Sequence, residues 1–183
     1  MKPHSFLNNL FRRLTDTSDG GKHLPWLTRK VMAVLSGFDA DKYWKRRAIV
    51  VNPRAGVNWL LKLYYLLWIK RVDAKHSSSF GTQYNRGPKI LTPPYLPHGL
   101  NGIIVGSDAQ IGTGVIIYHQ VTIAGGNVVI GNNVELGAGA KISPNVRIGN
   151  NVHVGANCIV VEDIPDNATV VLQKPRIILK DLR

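Results

Sequence analysis

Acidic residues are scarce in this chain: 11 Asp and Glu stand against 23 Lys and Arg in 183 residues. The shortage belongs to one end, since residues 1 to 75 hold 15 Lys/Arg against 5 Asp/Glu and residues 76 to 183 hold 8 against 6. Such a region favours anionic partners, but nucleic acid is set aside because no recognised binding module accompanies the charge. Cysteine is nearly absent. Cys158 has no partner for an intrachain disulfide, reads as a small buried hydrophobe, and makes the cytoplasm the default compartment. Long apolar runs are also missing. Met1 to Leu14 has none long enough for a secretory signal and places Arg12 and Arg13 early. The most apolar stretch, Asn58 to Arg71, falls short of the roughly 20 residues that cross a bilayer. It reads as a core or interface helix. The alternative is a helix lying on the inner face of a membrane through residues 58–71, with Trp59, Trp68, Lys62, Lys70 and Arg71 at the headgroups.

What the chain does have is a six-residue repeat. Hexads starting at Val105, Ile111, Ile117, Ile123, Ile130, Leu136, Ile142, Ile148, Val154 and Val160 all open on Val, Ile or Leu, with one single-residue slip near Val128 and Val129. Four residues after each start comes a second apolar residue, from Ala109 to Ile164, except for Asn127 at the slip. Before each of these stand Asp108, Gly114, Gln120, Gly126, Asn133, Gly139, Asn145, Asn151, Asn157 and Asp163. All but Gln120 are Gly, Asn or Asp, residues that tolerate positive φ, so each hexad reads as a short strand and a tight corner. A fixed short period with inward branched residues is the signature of a β-helix, whose rungs bury their apolar edges only by stacking.

The remaining segments are additions to that repeat. Residues 1–75 read as a basic helical region, with helices expected at Thr28 to Leu35, at Asp41 to Ala48 after an Asp39 or Asp41 cap, and at Asn58 to Arg71. Residues 76–165 form the β-helix domain, and residues 166–183 a terminal tail in which Val170, Val171 and Leu172 can cap the last coil. From Ala74 to Gly102, Pro and Gly exclude a helix, and Phe80, Ile90 and Leu96 read as inward residues of imperfect first coils. The chemistry is expected there. His98 stands just before the first regular coil, bordered by Pro97 and Gly99, and imidazole is the side chain best matched to taking a proton at neutral pH.

The repeat resembles the hexapeptide-repeat acyltransferases. The run from Leu96 to Gly106 (LPHGLNGIIVG), followed by Ile117 to Ile123 (IYHQVTI), is similar to their serine acetyltransferase branch, and more so to its small bacterial relatives that acetylate surface polysaccharides. Tyr43-Trp44-Lys45 and the Leu61 to Arg71 helix fit those relatives too. The resemblance implies a mainly β fold, a left-handed parallel β-helix of triangular section, with an α-helical N-terminal region. It also implies a homotrimer with active sites between subunits, and acetyl-CoA as co-substrate without a metal. His98 takes the place of the family's general base, with one extra residue between it and the following Gly. His119 is the second catalytic candidate. Residues implied for the CoA arm are Gly125, Ala138, Lys141, Ala156, Lys174 and Arg176, of which Ala138 and Ala156 lie in the matching stretches Gly137 to Ile142 and Val154 to Asn157.

Two departures steer the expected acceptor away from free serine. Pro97 stands where the serine enzymes have an Asp that helps hold the amine, and Ala124 to Val129 is too short for their loop with a second His. The expectation is therefore acetylation of a sugar hydroxyl in a surface polysaccharide or its precursor. Serine acetylation and a non-catalytic trimeric scaffold are the alternatives. From Ala74 to Pro97 there is no Asp or Glu to orient His98, so a backbone carbonyl or a neighbouring subunit is expected to do so. A metal-dependent hydrase of this fold would need three converging His. His98, His119 and His153 are 21 and 34 residues apart, neither a multiple of the 18-residue coil.

Overall fold

The fold is taken from a computed structural model that describes Val31 and residues 33–173. Lys174, Arg176, His4, His23 and the start of the helix expected at Thr28 lie outside the described residues. Helix α1, Ala40–Val51, begins at Asp39, whose carboxylate accepts from the Lys42 N–H at 3.1 Å and satisfies one of the first-turn donors that have no intrahelical partner. Helix α2, Trp59–Lys75, is capped in the same way by Asn58, which accepts from the Leu60 N–H at 2.8 Å. It runs a turn beyond Arg71 and stops at His76, whose N–H bonds back to Asp73 and Ala74.

α2 buries only part of its apolar surface. Ile69 and Val72 are buried, yet so are Lys62 and Asp73, while Trp59, Leu60, Leu61, Leu63, Tyr64 and Leu67 are exposed. Polar partners explain the inversion: Lys62 Nζ donates to the Asn52 carbonyl at 2.6 Å and to the Asn85 side chain, so its charge is satisfied inside. Lys62 is thus not among the exposed cations of this helix. Among the described residues no helix is long and apolar enough to cross a membrane.

The rest is a parallel β-solenoid of two-residue strands: β1 Lys89–Ile90, β2 Ile104–Val105, β3 Gln110–Ile111, β4 Ile116–Ile117, β5 Thr122–Ile123, β6 Val129–Ile130, β7 Glu135–Leu136, β8 Lys141–Ile142, β9 Arg147–Ile148, β10 His153–Val154, β11 Ile159–Val160 and β12 Thr169–Val170. They form three sheets, ordered β1-β3-β6-β9, β12-β10-β7-β4 and β11-β8-β5-β2. Each strand therefore pairs with one a full coil away. The second residue of each pair from β2 to β11 is buried at 2% exposure or less, which is why the first hexad position is always aliphatic. A fully buried Ile or Leu contributes roughly 1.5–3 kcal/mol.

The corners depart from their composition in an informative way. Gln120 has φ 59° although it is neither Gly, Asn nor Asp, while Asp108 and Asp163 are not among the positive-φ residues. The two aspartates serve an adjacent coil instead, Asp108 the one after it and Asp163 the one before. Asp108 accepts from the Gly126 N–H at 2.8 Å, and Asp163 from the Arg147 N–H at 2.7 Å. The slip is taken up in the corner after β5. Asn127 turns there with φ 60°, and Val128, fully buried, takes the inward position expected for Asn127.

The irregular stretch completes the first coil. Ser79 bridges to Ile104, β1 pairs with β3 and Tyr95 bridges to Ile116. Phe80 is fully buried, and Ile90 and Leu96 pack against the core. At the other end the ladder passes Pro165. Ile164 bridges to Ile148, and β12 pairs with β10. Val170 packs on the core, whereas Val171 and Leu172 are exposed and do not cap it.

Helices and solenoid are joined by a buried polar cluster. The Tyr43 hydroxyl donates to Asp73 at 2.7 Å, and the Arg47 guanidinium donates to the Pro88 carbonyl at 2.9 Å. Burial raises the Asp73 carboxyl to about 6, against the opposing hydrogen bond from Tyr43. This lies above the ordinary value near 3.9, so the folded state takes up the proton first. The resulting stabilisation is complete below about pH 4 and is lost as pH rises through about 6. In urea unfolding followed from pH 4 to 7, wild type is therefore expected to lose up to about 3 kcal/mol relative to Asp73→Asn. A constant difference between the two proteins would contradict this.

Candidate active site

The chemistry gathers along one edge of the prism, where the corners after β4, β7 and β10 stack. Tyr118-His119-Gln120 is followed one coil later by Gly137-Ala138-Gly139 and then by Gly155-Ala156-Asn157. The Gly139 N–H donates to the His119 carbonyl at 3.0 Å and the Asn157 N–H to the Ala138 carbonyl at 2.8 Å. The coils meet so closely that a β-carbon on Gly137 would fall 2.6 Å from the Ala156 nitrogen. Glycine there is a condition of stacking.

At the top of this column residues 97–102 fill the corner that residues 118–120 fill below. The Gln120 N–H donates to the Asn101 carbonyl at 2.9 Å, and the Gly99 N–H closes a turn on the Leu96 carbonyl at 3.1 Å. The longer corner swings His98 outward, over His119. Their Nδ1 atoms lie 2.6 Å apart, with ring centroids at 4.7 Å and planes at 38°. Two nitrogens so close share one proton, so one imidazole donates from Nδ1 and the other accepts there. The donor, when neutral, presents a free, basic Nε2. The described partner of His98 is thus another imidazole, one coil below, rather than a carbonyl. Tyr118 packs edge-on against His98 at 5.8 Å. The Tyr118 hydroxyl is pushed up by desolvation and by its hydrogen bond and proximity to Glu135, which also sits 3.3 Å from His153.

Beside the exposed His98 ring opens a cleft of about 480 Å³. Its walls include Phe38, Asp39 and Asp41 from the start of α1, together with His76 and Pro97. His76 is committed to structure: its two ring nitrogens face the Val72 and Ser36 carbonyls at 2.8 and 3.0 Å. Among the described residues the two aspartates are the acidic groups of the cleft. A reading confined to the neighbourhood of His98 misses them, because they come from a helix far away in sequence.

The other candidates divide. Ala138 is half-buried and Ala156 exposed in the column below His119. Lys141 stands on the adjoining face, its Nζ donating to the Gln120 carbonyl at 2.9 Å. Gly125 is not in this column. It lies across that face at the next corner, packed on Gly106, where an added β-carbon would meet the Gly125 backbone at 2.6 Å. Among the described residues no three His, Cys, Asp or Glu side chains are grouped to hold a metal ion. His153 is drawn to Glu135 instead of toward the histidine pair.

A family model described as bacterial transferase hexapeptide (six repeats) matches residues 127–161. The chain is similar to the serine acetyltransferase of Helicobacter pylori, with 31% identity over 171 residues, covering 76% of this chain and 96% of that protein. The serine acetyltransferase of Mycobacterium tuberculosis is 32% identical over 137 residues, covering 67% of this chain and 59% of its own length. Among solved structures, serine acetyltransferase isoform 3 of Entamoeba histolytica superposes with a TM-score of 0.63 at 21% identity over 97% of this chain. The Neisseria gonorrhoeae serine acetyltransferase gives 0.57 at 28% identity over 78% of this chain. The chain spans 62% and 55% of the lengths of those two solved chains.

Proposed function

Because the chain belongs to the hexapeptide-repeat transferases and its relatives are serine acetyltransferases, we propose that it transfers the acetyl group of acetyl-CoA to the hydroxyl of serine. The sugar hydroxyl expected from the sequence gives way to serine, since the relatives that carry the likeness are named for serine. Pro97 describes only the residue next to His98 in sequence. Acidic groups reach the same cleft from α1.

The observation that carries the reading is the His98 imidazole, paired with His119, beside a cleft whose walls include Asp39 and Asp41. His98 is the general base. With its Nδ1–H donated to His119 Nδ1, its Nε2 removes the serine hydroxyl proton as the oxygen attacks the thioester carbonyl. His119 fixes the ring and the tautomer, the task a carboxylate performs for a histidine base elsewhere. The tetrahedral oxyanion requires N–H donors. Its collapse expels the CoA thiolate, which takes the proton from the His98 imidazolium. A thiol of ordinary pKa near 8.5 leaves readily, so no acyl-enzyme is needed. Asp39 and Asp41 receive the serine ammonium group.

The pantetheine arm runs down the column over Ala138 and Ala156, with Lys141 as the neighbouring cation and Gly125 at the far edge of the same face. That face also exposes Ile104 and Ile159, at 40% and 66%. In the proposed homotrimer, with the site between subunits, a neighbouring prism covers this face. A reaction on acetyl-CoA and one buried, unpaired cysteine make the cytoplasm the proposed compartment.

Thiol release from acetyl-CoA by the full chain, measured against serine, threonine and a panel of glycans, tests the acceptor. Turnover with serine is expected at a rate well above that with any glycan. Release with a glycan and none with serine would overturn the reading.

A further inference from the structure

The exposed face of α2 serves neither the core nor the proposed site. Leu60, Leu63, Tyr64 and Leu67 fall at helical spacing along one stripe, with Trp59 at its start. Their exposures are 56%, 37%, 54%, 61% and 62%. Scattered exposed hydrophobics need no explanation, but a contiguous set on one helix face marks a binding surface.

Charge selects the partner. Residues 42–72 contain eight Lys/Arg and no Asp or Glu. Two of these cations, Arg47 and Lys62, are buried, while Lys42, Lys45, Arg54, Lys70 and Arg71 are exposed. Arg46 lies over the apolar stripe's own edge, 5.5 Å from the Tyr64 ring centroid and 4.3 Å from that of Trp68. Lys42 stands 5.4 Å from the same Trp68 ring. Apolar side chains, amphipathic aromatics and a set of exposed cations thus share one surface, with Asp41 as an acidic neighbour at the start of α1. A second copy of this face would bring two cation-rich arrays together. An anionic surface neutralises them while its acyl layer accepts the leucines.

We propose that α2 docks this protein on the surface of an anionic lipid bilayer. The helix lies in the interface plane, since it is too short and too polar at its ends to span. Trp59 and Tyr64 sit at headgroup level, Leu60, Leu63 and Leu67 reach below it, and Arg46, Lys70 and Arg71 meet the lipid phosphates.

Co-sedimentation of the full chain with phosphatidylglycerol-containing vesicles, against pure phosphatidylcholine vesicles, provides the test. Binding at least about 10-fold tighter to the anionic vesicles is expected, weakening as salt is raised. The double variant Leu60→Glu/Leu67→Glu should lose about 10-fold or more of that binding, with its melting temperature and acetyl transfer rate unchanged. Equal binding of wild type and variant, or none to anionic vesicles, overturns the proposal. So does a fall in oligomer mass by light scattering in the variant, which would assign the face to a second copy. Vesicle binding requires no acetyl transfer, so its failure is distinguishable from failure of the enzymatic reading.

Discussion

Replacing His98 with alanine should lower the rate of acetyl transfer by roughly 10²- to 10⁴-fold, the range a positioned general base contributes, while leaving the protein folded. The two halves of that expectation have separate physical grounds. The ring is exposed and lies outside the core, and its described polar contact is with His119, so its loss opens no cavity and orphans no buried group. Acetyl-CoA binding should also persist, because the column proposed for the pantetheine arm, over Ala138 and Ala156, begins a coil below. The measurement is steady-state kinetics beside a thermal melt. An unchanged melt with the rate retained would remove His98 from the mechanism. His119→Ala should produce a smaller loss than His98→Ala, since the base remains but its orientation and tautomer are no longer fixed. Equal losses in both would make the pair a single catalytic unit.

Neutralising the cleft should be felt in substrate binding rather than chemistry. In the double variant Asp39→Asn/Asp41→Asn, KM for serine is expected to rise roughly 10- to 150-fold, corresponding to loss of about 1.5–3 kcal/mol of charge-assisted hydrogen bonding. The turnover number should change much less, because the ammonium group is bound alike in ground and transition states. Asparagine is chosen because it still caps a helix, which preserves the Asp39 contact with the Lys42 N–H. A variant with unchanged KM for serine would take the amino group out of this cleft and move acceptor recognition elsewhere.

Much of the architecture can be read directly from the sequence because a solenoid writes its core into a short period. Each hexad start is buried, and even the imperfect first coil shows itself through Phe80, Ile90 and Leu96. The slip was legible as an irregularity but not in detail: nothing local shows that Asn127 turns and Val128 goes inward, since that choice belongs to the ladder above and below. Composition left open which face of α2 is buried, because hydrophobic content does not say which side of a helix finds polar partners. Lys62 is buried by Asn52 and Asn85, and the leucines are left outside.

The site was half legible. His98 and His119 could each be singled out, but their spacing of 21 residues fits no multiple of the 18-residue coil. Contact between them depends on the extra residues in the 97–102 corner, which swing His98 back over the coil below. Asp39 and Asp41 were recognisable as possible helix caps. Their second place, in the wall beside His98, follows from how α1 and α2 pack on the first coil through Tyr43, Asp73 and Phe80. No local pattern encodes that.

Isolating the product of the full chain incubated with acetyl-CoA and serine is the most direct measurement. One acetyl group on the serine oxygen, formed one-for-one with free CoA and lost together with His98, is the expected result. Serine recovered unmodified while the acetyl group is transferred to another acceptor, with CoA released, would contradict it.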